Sequence, residues 1–502
     1  MKRFDIIVIG SGSANIVVDE ALEKGLKCAM IENGKFGGTC LTRGCIPTKV
    51  MVTVADFIRQ AQKASKIGIN IKDISVDFDK VSKRVWQKID ESKDVYQYYK
   101  SKENLTVYEG TAKFISDKEI KVVFNDSAKQ DEIITADKIV IGAGARTKVP
   151  KIEGLEEVGY LTSESFFGDK FPKKPYESVT VIGGGYIGVE FAHILSALGS
   201  KVNIVQHNMY LLPKEEEDVS VAIPEILSKY GIDVYTNKDT IRTYMQDGKK
   251  VLEFKNISNG RLYSVKSDEI IVAPGVMSNA DTLDIQNTSI ELEKGYIKTN
   301  EFLETTVDGV YAIGDINGKY QFRHKANYEA EILSHNLFYA KDNDYEFASY
   351  DAVPAVTYIY PQVAHVGLTE KEARKKGYKI QVALHYYYQT AKGFALGYNE
   401  GEESDGFVKI IIEKDSKKIL GVHIIGDEAS ILLQPYVELM NAGEKIIQPI
   451  NEEIGSQLTK RLRKENYKRN LNPNTIELTN KTMVAHPSLS EVSIWTKYMD
   501  FK

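Results

Sequence analysis

Apolar and polar positions along this chain follow two rhythms in succession. Up to about residue 350, short continuous apolar runs alternate with stretches of helical spacing, the pattern of strands buried on both faces between helices. "FDIIVI" runs into a glycine turn, the helical "IVVDEALEKG" follows, and a second run, "KCAMIE", ends at Glu32. The same order returns in "SVTVIGGGYIGVEFAHILSALGSKVNIVQ", which ends at Gln206. Between the two units, "VMVTVADFIRQAQKASKIG" and "DFDKVSKRVWQKIDESKDVYQYYK" predict two helices. "DKIVIGAGARTKVPKIEG" predicts a short buried strand, a small-residue turn and a linker, and "IIVAPGVMSNAD" a similar exit near 275. "GVYAIGDINGKYQF" predicts a strand that delivers Gly314 and Asp315 to the helix "HKANYEAEILSHNLF". From about 350 the rhythm changes. "AVTYIYPQVAHVGLT", "KIQVALHYYY" and the hairpin "GFVKIIIEKDSKKILGVHIIG" read as antiparallel strands followed by helices. The expected segments are 1–150, 151–275, 276–350 and 351–502, the last an α+β domain.

Composition adds limits. A chain of 502 residues with 42% hydrophobic and 27% charged residues has material for several ordinary globular cores. A net charge of −5 without a basic block gives no nucleic-acid surface, and no acidic tail appears. The apolar run in "MKRFDIIVIGSG" is too short for a signal peptide, and no stretch approaches the about 18 apolar residues that span a bilayer. These features are expected of a cytoplasmic protein that binds no membrane. Three cysteines exclude a disulfide scaffold and point to specific uses.

Each strand–glycine–helix unit has the length and order of a dinucleotide-binding βαβ fold. Gly10 and Gly12 in the first, and Gly183, Gly185 and Gly188 in the second, would let the backbone turn tightly against a pyrophosphate. The helix behind them supplies free N–H groups. One such motif is weak; two in the right context, about 170 residues apart, are not. The copies differ. Asn15 stands where a third glycine is usual, so helix packing there must accommodate a polar side chain. Glu32 suits a ribose diol, whereas Gln206 stands where a carboxylate is usual and only His207 and Lys214 are basic nearby. NADH and NADPH both stay open.

"GGTCLTRGCIPTK" holds Cys40 and Cys45, separated by four residues. A structural zinc site needs four ligands, usually in two pairs; Cys28 lies in a predicted buried strand and no histidine is near in sequence, so no metal is expected. Two inert buried thiols are the generic alternative. Against it, glycines wrap the pair and a helix starts immediately after it, a position that favours a thiolate. A dithiol beside a dinucleotide fold reads as a redox pair.

These residues carry a resemblance. The chain resembles the pyridine nucleotide–disulfide oxidoreductases, the flavoprotein group of dihydrolipoyl dehydrogenase, glutathione reductase and mycothione reductase. Within the group it is most similar to the mycothione reductase branch, through Asn15 in "GSGSANIVVDEAL", "EFAHILSALG", "MSNADTLD", "QFRHKANYEAEILSHNL" and "LGVHIIGDEASILLQP". The resemblance implies two Rossmann-like domains, for FAD and NAD(P), and a C-terminal dimerisation domain. FAD would lie on Gly10, Gly12, Glu32, Gly142 and Asp315; NADH or NADPH on Gly183, Gly185, Gly188 and Gln206, with Tyr186 as an aromatic gate. Lys49 and Glu190 match a buried ion pair beside the flavin. Cys40 and Cys45 would form the redox disulfide, Cys45 facing flavin and Cys40 exchanging with substrate. "AHPSLSE" supplies His486 as acid, oriented by Glu491, although Ser488 and Glu491 also read as an ordinary capping box.

In this family the histidine comes from the partner subunit, so a homodimer is implied and a monomer should be inactive. Val484 replaces the usual preceding histidine, and Thr42 and Arg43 replace the commoner Asn and apolar residue inside the cysteine loop. Residues 446–482 are longer than the family segment and read as a solvated surface loop in preference to a partner-binding element. The C-terminus carries no further cysteine, which leaves two substrates: a low-molecular-weight disulfide, favoured by the match to mycothione reductase, or protein-bound dihydrolipoamide oxidised with NAD. A Lys-, Ile- and Tyr-rich chain is not typical of high-GC actinobacteria, so the thiol itself stays open. A different class, a structural or sensing flavoprotein within a 2-oxoacid dehydrogenase complex, is the further alternative.

Overall fold

Near-continuous burial of the first apolar runs places them at the centre of a sheet. In the computed structural model, which describes residues 1–341, 344–401 and 406–499, Lys2–Ile9 lies parallel to Cys28–Glu32 on one side and to Glu132–Ile141 on the other. Leu105–Phe114 extends the sheet beyond Cys28–Glu32, and Val310–Ala312 extends it beyond Glu132–Ile141. Glu119–Phe124 pairs antiparallel with both Leu105–Phe114 and Glu132–Ile141. The last strand comes from the chain after the second glycine unit, so the first domain is closed by a returning segment. That unit forms its own parallel sheet, in the order Glu269–Val272, Ser178–Ile182, Lys201–Val205, Ile232–Tyr235. The C-terminal domain is a five-stranded antiparallel sheet, Ala355–Thr357, Gln362–Gly367, Ile419–Gly426, Phe407–Glu413, Ile380–Tyr386.

The two helices expected between the glycine units are Cys45–Lys63 and Phe78–Lys100. The helix Asn15–Glu23 accommodates Asn15 by turning its side chain to the Tyr99 hydroxyl, which also donates to Asp19 at 3.0 Å. The second unit and the C-terminal sheet meet around the buried Lys409, whose ammonium pairs with Glu216 at 3.1 Å, with Glu370 at 2.6 Å and with Asp218.

Residues 446–482 depart from the solvated loop expected of them. Gly443–Ile446 pairs antiparallel with Lys468–Leu471, and the helix Gln457–Lys464 lies between them. Ile447 and Leu462 pack on Phe302 and Phe347 of the central segment. Arg463 forks onto the fully buried Glu301, Nε to Oε1 at 2.6 Å and Nη2 to Oε2 at 2.8 Å. A hydrophilic composition hid this because the polar residues meet fixed partners instead of water. Two aligned bonds to a carboxylate make this the strong form of ion pair.

Arg463→Ala leaves Glu301 buried without its cation, which costs about 3–5 kcal/mol. Residues 446–482 should then become the earliest site of tryptic cleavage. Digestion identical to that of the parent protein would show that the fork does not clamp the segment.

Candidate active site

The cysteine loop becomes a site because a glycine-rich turn hands it directly to a helix. Gly38–Thr42 is one short helical turn that holds Cys40, and Cys45 is the first residue of Cys45–Lys63. Thr42 is buried, with its hydroxyl donating to the Gly38 carbonyl at 2.8 Å, while Arg43 pairs with Glu164 at 2.8 Å. Both cysteines are free thiols, and their sulfurs and a His486 ring nitrogen lie within 4.8 Å of one another.

His486 Nε2 is 3.3 Å from Cys40 Sγ. On the far side of the ring, Nδ1 is 2.8 Å from Glu491 Oε1, which also accepts the Ser488 N–H at 3.0 Å. Tyr358 donates to the Pro487 carbonyl at 2.5 Å, and its deep burial pushes the phenol well above its ordinary range. One carboxylate oxygen thus serves both the imidazole and the Ser488 N–H, but the expected capping box does not form: the short helix Glu491–Ile494 starts from Ser490 without a side-chain cap, and the Ser488 hydroxyl accepts the Ser490 N–H at 3.2 Å.

The thiols are made unequal by their surroundings. Cys45 is held down to about 6, first by the hydrogen bond from Cys40 and then by the charges of His486, Lys49 and Arg323, against the opposing effect of burial. Cys40 is pushed well above its ordinary value by that same hydrogen bond and by burial. The pair shares one proton, which Cys40 keeps.

One turn along the helix, Lys49 Nζ meets Glu190 Oε2 at 2.6 Å. Glu190 sits in the helix Tyr186–Ala197 of the second unit, and its other oxygen accepts the Tyr358 N–H at 2.9 Å. A cavity of about 580 Å³ extends from Gly10, Gly12 and Glu32 past Gly142 and Asp315 to Tyr186, Lys49, Cys45 and His486. The sequence-expected residues of the first unit and the thiol site therefore line one space. Gly10 has φ +98°, and a Cβ there would lie 2.4 Å from the Gly142 carbonyl oxygen. Glu32 closes the loop by accepting the Ser11 N–H at 2.9 Å and the Gly34 N–H at 2.8 Å. Asp315 is raised to about 6 by burial, with Lys325 opposing. Its turn is held by the wholly buried Lys325, which donates to the Gly314 carbonyl at 3.0 Å and pairs with Glu329 at 3.1 Å. Tyr186 is raised to about 12 by burial and lies 5.9 Å, ring to ring, from Phe322.

Gly183, Gly185 and Gly188 form the second glycine turn, away from the thiols. A Cβ on Gly188 would come within 2.0 Å of the Gly183 carbonyl oxygen, so the helix can approach its strand only with glycine there. Gln206 is buried and accepts the Gly184 N–H at 3.0 Å, the counterpart of Glu32 in the first unit.

Two placements differ from expectation. His486, which the family resemblance places at the partner's site, lies 3.3 Å from Cys40 Sγ within the single chain described here. Arg323, His324 and Tyr358 line the cavity and were not singled out from sequence. His324 is pushed down to about 3 by burial, so its ring is neutral. No short motif marks these residues; Arg323 and His324 reach the cavity through the placement of the helix Arg323–Phe338, and Tyr358 follows the strand Ala355–Thr357.

Residues 4–330 match the pyridine nucleotide-disulphide oxidoreductase family model, and residues 353–460 match that family's dimerisation domain. The chain belongs to the pyridine nucleotide–disulfide oxidoreductases. It is an oxidoreductase of a family that uses FAD and NAD(P)H, and the dimerisation domain supports a homodimer. It is 33% identical to mycothione reductase of Mycobacterium tuberculosis over 448 residues, 88% of this chain and 94% of the relative. It is 29% identical to dihydrolipoyl dehydrogenase of Bacillus subtilis over 441 residues, 86% of this chain and 90% of the relative. The fold is shared with the copper(II) complex of the HOCl-induced flavoprotein disulfide reductase RclA from Escherichia coli, with a TM-score of 0.73 and 23% identity over 99% of this chain and all of that one. The chain fits the flavin cofactor: the cradle beside Gly10 and Gly142 is one that a side chain would fill, and the cavity continues from it to Cys45. Among the described residues no helix is long and apolar enough to cross a membrane.

Replacing either Lys49 by Met or Glu190 by Gln should destabilise the holoenzyme by about 3–5 kcal/mol. The double replacement should cost less than the two single ones added, by about 0.5–3 kcal/mol in urea unfolding. Strictly additive losses would show that the two charges act independently.

Proposed function

We propose that this protein is an NAD(P)H-dependent reductase of a low-molecular-weight disulfide, working through the Cys40–Cys45 pair. The observation that carries the reading is the line Glu491–His486–Cys40 beside a low-pKa Cys45 at a helix start. FAD, when bound along Gly10, Gly12, Glu32, Gly142 and Asp315, supplies the two-electron relay between the nicotinamide and the protein disulfide. Gly183, Gly185, Gly188 and Gln206 hold the nicotinamide cofactor, and Tyr186 covers the cavity until it enters.

In the dithiol form, His486 Nε2 takes the Cys40 proton and Glu491 holds the ring in the orientation that receives it. Cys40 sulfur attacks one sulfur of the substrate disulfide; a mixed disulfide forms, and the departing thiolate takes the proton from His486. Cys45 thiolate then attacks Cys40 sulfur, which expels the second product as a thiolate that takes its proton from solvent, and closes the Cys40–Cys45 disulfide. Two electrons drawn from NAD(P)H reopen it. Lys49, held by Glu190, keeps a cation one turn from Cys45. A dependence on NAD(P)H suits an enzyme that works in the cytoplasm.

A second reading, oxidation of protein-bound dihydrolipoamide with NAD, is favoured by the similarity to dihydrolipoyl dehydrogenases. Steady-state assays of NADH and NADPH against small disulfides, and of NAD against dihydrolipoamide, separate the two. Turnover of none of these would overturn both.

Cys40→Ser and Cys45→Ser should each abolish disulfide turnover; full activity in both would end the dithiol mechanism. His486→Gln should slow thiol exchange by about 10²–10⁴-fold while NAD(P)H oxidation by an artificial electron acceptor changes little. Equal slowing of both would mark a structural role. In the two-electron-reduced enzyme, the Cys45 thiolate should persist as pH falls to about 6 and be lost below it. His486→Gln removes a charge that lowers this pKa, so the midpoint should move upward; no shift, or a downward one, would contradict the assignment.

A further inference from the structure

Where the second nucleotide unit meets the C-terminal sheet, three neighbouring strands carry polar side chains at one level. His365 on Gln362–Gly367 is directly opposite His423 on Ile419–Gly426, and His423 is directly opposite Lys409 on Phe407–Glu413. Residues opposite each other in an antiparallel pair share a face, so the three form one row. Around the start of the helix Glu217–Lys229, the second unit turns Glu215, Glu216 and Asp218 towards this row, and Glu370 joins them.

The two ends of the row are completed differently. At Lys409 the sheet supplies its own cation: the buried ammonium sits among Glu216, Asp218 and Glu370, three carboxylates close enough together to hold an ion. At the other end the donors are gathered in the same way. One ligand atom each from Glu215, His365 and His423 lie within 4.8 Å of one another. Glu215 Oε2 is 2.7 Å from His365 Nδ1, and the two imidazoles stack with 5.7 Å between ring centres. Among the described residues Glu215 has no lysine or arginine partner and pairs with His365 alone.

His423 is the residue that points to a ligand. It is fully buried, and its Nε2 is 3.0 Å from the Leu368 carbonyl oxygen. A carbonyl only accepts, so Nε2 carries the proton and, in the neutral ring, Nδ1 is a bare lone pair. That Nδ1 has no hydrogen-bond partner among the described residues. A buried acceptor left without a donor is costly. An imidazole whose far nitrogen donates to a backbone carbonyl is also the usual form of a histidine that ligates a metal.

We propose that Glu215, His365 and His423 form a site for a divalent metal ion of the zinc class, which fastens the second nucleotide unit to the C-terminal sheet. Two neutral imidazoles and a carboxylate are a donor set that zinc accepts, with a fourth position left for water. The ion takes the place of the proton between His365 Nδ1 and Glu215 Oε2, and that proton passes to solvent. Zinc at about 2.0–2.2 Å from each donor holds the donors about 3.3 Å apart. The pair at 2.7 Å therefore opens, and His423, within 4.8 Å of both, closes in. Lys409 and the metal would then be two fasteners on one row, the first built into the chain and the second taken up.

The test uses holoenzyme carrying Cys40→Ser and Cys45→Ser, so that thiolates take no metal and the outcome does not depend on the role given to them above. After removal of metals with a chelator, the protein is dialysed against micromolar zinc chloride and its zinc is counted by mass spectrometry. The expected content is about one zinc per chain, with affinity falling about tenfold or more when Glu215→Gln or His423→Gln is added. No uptake, or uptake unchanged in both variants (a surface ion only), overturns the proposal. X-ray absorption at the zinc edge of the loaded Cys40→Ser/Cys45→Ser holoenzyme decides the matter even if a variant does not fold. Two imidazoles at about 2.0–2.1 Å support the site; a shell with fewer than two overturns it.

Discussion

Both oxygens of one carboxylate hold this site together. Glu190 belongs to the second nucleotide unit, yet it binds Lys49 of the first and the Tyr358 N–H of the C-terminal domain. From there a ring of contacts closes on itself. Tyr358 holds the Pro487 carbonyl, His486 next to it reaches Cys40, Cys40 donates to Cys45, and Cys45 lies one helical turn before Lys49. Three domains are therefore registered to each other at the reacting sulfurs. A buried carboxylate is suited to this task because leaving either oxygen unpaired is costly, so its partners are held in fixed directions. A hydrophobic contact of the same size would tolerate sliding.

The same arrangement sets the chemistry of the thiols. Burial alone would raise both of them, as it does Cys28, which is pushed up to about 12. Near the helix start the balance is reversed for one sulfur only. Cys45 receives a hydrogen bond and faces Lys49, Arg323 and His486, while Cys40 donates that bond and keeps its proton. The asymmetry comes from position along one short loop, and it is what lets two chemically identical side chains perform different steps.

The two nucleotide units repeat one local solution with different residues. Glu32 and Gln206 each accept an N–H from their own glycine turn, so each end-of-strand side chain braces the loop next to it. Gln206 retains the bracing function without the charge. This parallel was readable from spacing alone, because a βαβ unit confines strand, turn and helix to a short stretch whose geometry is local. Asn15 was readable as a departure, but its accommodation by Tyr99 was not, since Tyr99 lies on a helix that pattern cannot orient.

Periodicity and spacing by themselves determined the alternation of strands and helices, the two glycine cradles, the dithiol at a helix start and the antiparallel closing domain. Each depends on contacts within a few turns of chain, where residue type dictates geometry. The tertiary structure alone decided what crosses between distant segments. It brought Arg323, His324 and Tyr358 to the cavity wall, and it turned a polar stretch that reads as a solvated loop into a packed segment by giving Arg463 a buried partner in Glu301. It also set His486 beside the Cys40 sulfur. A histidine 446 residues from its cysteine meets it only through the packing of everything between them.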